Sequence, residues 1–418
     1  MIPALYIARR LSLRGGHHNR RPPSVWIAAF SVALTVVVLE LTLSVVGGFR
    51  EAIVDKVRGL NPDIVIEPPY NYDTGESDGF IELTPVLSNV LRSALPMTAD
   101  VVLCMRYPAV MKTDDNFSAV VFNAFGKGHD FDFEKGSVVD GEWPDWGTAD
   151  DNSVVISASI ANSLDLTTGD KINCYFFVDG HIKARKVSIS AIYNSNFGEN
   201  DNLSVYASLP WLQKVASVGD NSGTYLEVRG LEDLDIIPFE AEKLQGNLIG
   251  AFQSGELNQV YPVDNVTHTG AVFFNWLDLL DTNVIVVFIL MACVAGFTLI
   301  SSLFILILER IKTIGLLRSL GMTVSGVRNI FVYMALKYVV AGMVFGNIVG
   351  LGIIFAQKYL KFLPLNPDMY YLSHVPVSID PISILWMNVG ILTIAWLVMI
   401  LPARLVATVQ PSQTMQYE

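Results

Sequence analysis

Residues 309–322, ERIKTIGLLRSLGM, concentrate more interaction chemistry than any other stretch of this chain. On a helix, Leu316, Leu317 and Leu320 share one face, Arg310, Lys312 and Arg318 surround it, Glu309 opens the segment and Gly321 is a natural stop. An apolar ridge ringed by charge suits a groove on another protein. The same periodicity suits a turn lying on lipid, and spacing alone leaves both open. Glu40 and Lys337 are the acid and the base inside long apolar runs, where ionisable groups are costly and default to functional roles. Lys337 is about two turns from the end of its run and can snorkel there. Glu40 is nearer the far end of its run, where it either borders a substrate path or packs at a helix interface.

No side-chain set has the spacing of a catalyst. The six histidines are scattered, HExxH and Cys–His patterns are absent, and no GxxxxGK[ST] loop offers a phosphate cradle. The chain is therefore expected to be no enzyme, to bind no metal and no cofactor of its own, and not to hydrolyse ATP. The run Asp130, Asp132 and Glu134 could attract a cation but reads as a solvated acidic loop.

The elements that position these residues are membrane helices. Hydrophobic residues make up 51% of the chain, which favours a membrane protein over a soluble enzyme. Apolar runs over residues 25–46, 284–308, 330–355 and 382–401 each approach or exceed the roughly 20 residues that cross a bilayer. Residues 51–281 carry a net charge of −21 and the remainder +9, within a total of −12. Such acidity excludes nucleic-acid binding. Arg9, Arg10, Arg14, Arg20 and Arg21 precede the first run, which predicts a cytoplasmic amino terminus. Four spans then place the acidic domain outside, and the 309–329 segment and the carboxyl terminus inside.

The expected fold class is a membrane protein of four transmembrane α-helices with a large α+β extracytoplasmic domain inserted between the first and second. Its parts are an amphipathic cytoplasmic helix over 1–24, spans at 25–47, 283–308, 330–359 and 382–402, the domain at 48–282, a coupling helix at 309–329, a short outer loop at 360–381 and a cytoplasmic tail at 403–418. Within the domain, alternation predicts strands over 63–67, 101–107, 118–125, 153–156, 171–177, 186–193 and 224–228. Helices are predicted over 85–94, 157–164, 210–215 and 231–244, and residues 70–79 as a surface loop. Cys104 and Cys174 could form one disulfide, though two unpaired thiols is the more economical expectation. In the third span Gly342, Gly346 and Gly350 repeat every four residues, a packing ridge for another helix within the protomer or across a dimer, with Asn347 able to hydrogen-bond across helices.

Glu309, Arg310, Ile314, Gly315, Leu317, Arg318, Leu320 and Gly321 reproduce an E-R-x-x-x-I-G-x-L-R-x-L-G pattern, and here the chain resembles the FtsX-like permease subunits of ABC transporters. Three further segments are similar to the lipoprotein-releasing (Lol-type) branch: VVGGFREAIVDKVRGLNPDIVIEP after the first span, LNPDMYYLSHVPVSI between the last two, and LPARLVATVQPSQTMQYE at the end. The outer domain resembles the periplasmic core domain of MacB-like permeases.

The resemblance implies a non-catalytic permease in a bacterial inner membrane that pairs with a second permease, identical or homologous. Two copies of an ABC ATPase subunit would bind ATP and Mg, and the cargo would be a lipoprotein or lipid released with or without a periplasmic chaperone. It implies that residues 309–322 dock on the ATPase. Val36, Glu40, Leu43, Phe288 and Met291 are then candidates for a substrate path beside the first two spans, with a lipid-facing role equally open. Two other functions stay open: efflux of another amphiphile or drug, as in MacB-like transporters, and FtsX-type regulation of a periplasmic hydrolase.

Overall fold

The computed structural model describes residues 23–71, 76–77, 79–146, 151–178, 180–231, 233–309 and 311–403. Arg310 lies outside these, as do nearly all of the amphipathic helix expected over 1–24 and of the tail expected over 403–418. Among the described residues four helices are long and apolar enough to cross a membrane: Pro23–Leu60, Ala271–Glu309, Val324–Leu360 and Pro381–Ala403. All four exceed the ~30 Å of a bilayer core, the first three by a wide margin, since a helix rises about 1.5 Å per residue. Each expected span falls inside one of them. The start of the third differs from expectation: residues 324–329 belong to the spanning helix, because Thr323 caps it, its Oγ1 accepting from the Gly326 N–H at 3.2 Å.

The chain divides into two compact units. The membrane-spanning unit has its own apolar core, in which Val32, Val36 and Leu39 of the first helix meet Leu299 and Leu303 of the second, Phe331 and Val339 of the third and Ile391 and Ala395 of the fourth. The inserted unit comprises Ile53–Asn275 together with Asn366–Ser373.

The inserted unit is built on a mixed ten-stranded sheet of β1 (Ile64–Ile66), β2 (Asp100–Lys112), β3 (Phe117–Phe125), β4 (Val138–Gly141), β5 (Ser153–Ser157), β6 (Lys171–Val178), β7 (His181–Tyr193), β8 (Ser204–Ser208), β9 (Tyr225–Arg229) and β10 (Val263–Asn265). Their order is β10-β1-β9-β2-β3-β8-β5-β7-β4, with β6 paired to both β7 and β2. Only the β5–β7 and β3–β8 pairings are parallel within this sheet. Its main core gathers Phe122, Phe176, Trp211 and Leu212 around buried aliphatic residues of β5 to β8. Helix Pro85–Ala94 starts at a Thr84 cap and Ala158–Leu164 at a Ser157 cap, both hydroxyls accepting from the N–H three residues on.

Every strand expected from alternation is present, as are the helices at 85–94, 157–164 and 210–215 within a residue or so. Others moved. The helix expected over 231–244 runs instead over Ile237–Gln253, opening at Pro238, whose fixed φ suits a first turn. The 70–79 stretch holds a small ladder, Tyr70–Asn71 with Glu76–Ser77. β8 was not anticipated; its sequence SVYAS is buried at all five positions and so lacks the alternation that marks a half-exposed strand.

Cys104 and Cys174 are free and buried. Cys174 pairs with Met111 on β2, seven residues along from Cys104, or about 23 Å at a strand's rise, far beyond the separation a disulfide tolerates. The acidic run also differs from a solvated loop: Asp130 and Asp132 are exposed, but Glu134 is buried.

Candidate coupling helix and substrate path

The 309–322 segment folds as the short helix Ile311–Ser319 followed by a left-handed glycine. Its end is a Schellman motif. The Gly321 N–H donates to the Arg318 carbonyl at 3.0 Å, and the Met322 N–H to the Leu317 carbonyl at 3.1 Å. Gly321 has φ +88, a conformation only glycine adopts freely. The hydrophobic contact of such motifs is present too, with Leu317 and Met322 both packed against Ile330 and Met334.

This geometry separates the three leucines. Leu317 turns inward and holds the helix end, while Ile314 is fully buried in the core of the spanning helices. Leu316 is 57% and Leu320 75% exposed, on a stripe shared with exposed Lys312 and Ser319. The ridge available to another molecule is therefore Leu316 and Leu320, without Leu317. Glu309 is exposed at the end of the second spanning helix, and Arg318 is half-buried.

Gly342, Gly346 and Gly350 pack within the chain, against Ala29, Ala33, Val36 and Glu40 on one face of the first helix. A Cβ at Gly346 would fall 2.8 Å from both the Ala33 carbonyl oxygen and the Val36 Cβ. The two helices run in the same direction with backbones nearly touching, as small residues permit. Val36 and Glu40, proposed for a substrate path, thus face the third helix and are fully buried. Among the described residues neither carboxylate oxygen of Glu40 has a hydrogen-bond partner. Leu43 is placed differently: with Ser44, Asp281, Val284, Ser378 and Ser383 it lines a cavity of about 330 Å³. Phe288 and Met291 are half-buried against the core of the spanning helices. Of the five path candidates, Leu43 lines this cavity, Val36 and Glu40 face the third helix, and Phe288 and Met291 are packed at the core.

Sequence patterns did not single out the polar groups beside Leu43. Asp380 caps the fourth spanning helix, accepting from the Ile382 N–H at 3.0 Å and from the Ser383 hydroxyl at 2.6 Å. Its hydrogen bonds to that turn hold its carboxyl below the usual range. Arg50 pairs with Asp281, and Phe49 meets Trp276 edge-on with centroids 6.3 Å apart. The signal available was an Asp two residues before an apolar run, with Pro381 at its first turn. Across the third and fourth helices Asn347 and Asn388 exchange amide hydrogen bonds, each 2.9 Å.

Residues 285–411 match the FtsX-like permease C-terminal family. The lipoprotein-releasing system transmembrane protein LolC of Neisseria meningitidis serogroup B is 21% identical over 94% of this chain and 94% of its own length. LolC of Xylella fastidiosa is 22% identical over 56% of each chain, and LolE of Haemophilus influenzae 21% identical over 63% of this chain and 64% of its own. Two solved structures are similar in part. The periplasmic region of MacB from Actinobacillus actinomycetemcomitans covers 54% of this chain and 98% of its own at 14% identity and a TM-score of 0.34. The extracellular domain of the ABC-type transporter YknZ from Gram-positive bacteria covers 49% and 100%, at 14% identity and a TM-score of 0.33. Four spanning helices, a large α/β insertion after the first, and the matched segment make residues 285–411 similar to the C-terminal part of FtsX-like permeases and the chain as a whole similar to the lipoprotein-releasing transmembrane proteins.

Proposed function

We propose that this chain is the non-catalytic permease subunit through which ATP hydrolysis in a partner chain extracts lipoproteins from a bacterial inner membrane and releases them. The observation that carries the coupling role is the division of labour on helix Ile311–Ser319. One side is sunk into the core of the spanning helices through Ile314, and the other offers Leu316 and Leu320 to a partner. A helix so anchored passes a push on its exposed side to the helices beneath it, without chemistry of its own. The cargo class rests on the similarity to LolC and LolE, proteins named for lipoprotein release.

In this assembly two ATPase copies bind ATP and Mg and dock at Leu316 and Leu320, with Glu309, Lys312 and Arg318 at the rim. A second permease, identical or homologous, completes the membrane part. The termini and the coupling helix face the cytoplasm and the inserted unit faces the periplasm, where a lipoprotein chaperone could receive cargo. Leu43 and its cavity are the part of the proposed path that a lipid chain can enter.

The test is reconstitution of the chain with its ATPase in liposomes carrying a tagged, acylated lipoprotein, reading ATP-dependent release. Leu316→Glu with Leu320→Glu is expected to reduce release at least ~10-fold while leaving the melting temperature within ~2 °C, as for loss of buried interface anchors that the subunit itself leaves exposed. Release unaffected by both substitutions would end the docking proposal. No release by the unaltered chain, with ATPase activity stimulated by another amphiphile, would end the lipoprotein assignment and keep the permease.

A further inference from the structure

His129 is buried among charges that the transport reading does not use. Its Nε2 lies 3.5 Å from Glu134 Oε1 and its Nδ1 3.2 Å from Glu227 Oε2, and all three side chains are at least 97% buried. Phe125 stacks on the ring with centroids 3.9 Å apart, and Phe131 meets it edge-on at 4.6 Å. Glu227 is also held by Arg229, whose Nε is 3.0 Å away. Arg229 in turn donates from Nη1 to the carbonyls of Arg58 at 3.1 Å and Gly59 at 3.3 Å. Those carbonyls belong to the last turn of helix Pro23–Leu60, which leaves its final oxygens without helical partners and welcomes a cation. Short helix Asp132–Gly136 closes the arrangement from the other side. Its Phe133 ring lies against Gly59, where a Cβ would fall 2.7 Å from Phe133 Cγ, and its Glu134 reaches the imidazole.

We infer that His129 is a proton-operated clasp on the end of the first long helix. As an imidazolium it bridges Glu134 and Glu227, keeps Glu227 in line for Arg229, and so fixes the helix end to the sheet. When the ring gives its proton to water on the alkaline side, two carboxylates face one guanidinium. The buried cluster then loses one positive charge from between its two carboxylates, and the grip on Arg58 and Gly59 loosens.

Charges of both signs face the imidazole, Glu134 and Glu227 favouring its charged form and Arg229 opposing it. Burial and the nearby Arg229 work against a charged ring, but the carboxylates of Glu134 and Glu227, 3.5 and 3.2 Å from its nitrogens, outweigh them and hold His129 above its ordinary value. Burial likewise pushes Glu227 up, and His129 and Arg229 outweigh that to hold it below the carboxylate range. The neighbouring Tyr206, Tyr225 and Cys104 are pushed up by burial and stay protonated, and Arg106 and Arg229 stay charged. The raised imidazole contributes stability that is complete below its ordinary value and is lost as pH rises through the raised one. The lowered Glu227 contributes stability present above the ordinary carboxylate value and lost only as pH falls through its depressed one. The clasp is thus closed below the ordinary imidazole value and opens as pH rises through the raised one.

The test uses the full chain in detergent or nanodiscs, melted between pH ~6 and ~9, together with hydrogen exchange of the backbone amides of residues 57–66, corrected for the intrinsic pH dependence of exchange. The unaltered chain should lose ~3 °C or more across the alkaline step, with exchange at the helix end rising several-fold over the same interval. His129→Gln should start lower and show no alkaline step in either readout, and Glu134→Gln should shrink the step. Where His129→Gln does not fold, Glu134→Gln decides. An alkaline step of unchanged size in either folded variant, or none in the unaltered chain, overturns the clasp. A step in melting without any change at residues 57–66 overturns its attachment to the helix end.

Discussion

Glu40 and Gly346 show how much a single position in a membrane helix depends on its neighbour. Gly346 has no room for a side chain, because the first helix approaches to within contact of its Cα. Gly346→Leu is expected to cost about 2–3 kcal/mol or more through overpacking, read as a lower melting temperature of the solubilised chain. An unchanged melting point would mean that the two helices part more readily than their contact implies. Glu40 makes the opposite case. Its carboxyl faces Gly350 and finds no donor among the described residues, so a group that is costly among apolar helices stays without compensation there. Glu40→Leu should therefore raise the melting temperature, by an amount corresponding to about 1–3 kcal/mol. A fall instead would reveal a partner for Glu40 in the assembled transporter.

At the scale of elements, the third and fourth spanning helices are joined by a polar contact in an apolar setting. Asn347 and Asn388 satisfy each other's amides, and each also donates back to a carbonyl of its own helix, Met343 at 2.7 Å and Ile384 at 2.9 Å. Replacing either with Leu strands the other, whereas replacing both removes the need. A double-mutant cycle should give a coupling of ~0.6 kcal/mol, with ~1.7 as a ceiling, since amides in a membrane find other partners when separated. A coupling of zero would show that the two amides contribute independently. The connecting helix follows the same logic with backbone in place of side chains. Ile314 and Leu317 pack it down, Gly321 turns the chain, and Thr323 starts the next helix, which leaves Leu316 and Leu320 outward.

At the scale of the whole molecule, the charge partition predicts that residues 311–323 and the inserted unit are on opposite sides of the membrane. Cysteines introduced at exposed Lys312 and exposed Phe117, each in a chain carrying Cys293→Ser, provide the check. A membrane-impermeant maleimide added outside intact spheroplasts should label Phe117→Cys at least ~10-fold faster than Lys312→Cys, and lysis should equalise them. Equal labelling before lysis would refute the topology.

Much of this architecture was legible in the residues because its physical cause is local. A run of about 20 apolar residues must satisfy its backbone internally and so becomes a spanning helix whatever its neighbours. Alternation marked the longer strands, and Gly321 marked the end of the coupling helix for the same reason. What only the tertiary structure decided were pairings between distant segments. It chose the first helix over a second protomer as partner for the glycine ridge, turned Leu317 inward while leaving Leu316 and Leu320 out, and set Cys104 and Cys174 too far apart to bond. It also drew Glu134 out of a run that reads as solvated and buried it beside His129 and Glu227. The two glutamates are 93 positions apart in sequence, too distant for periodicity to relate them. Local pattern says which face of an element is apolar, but which partner covers that face follows from the order in which strands and helices assemble, a property no single segment carries.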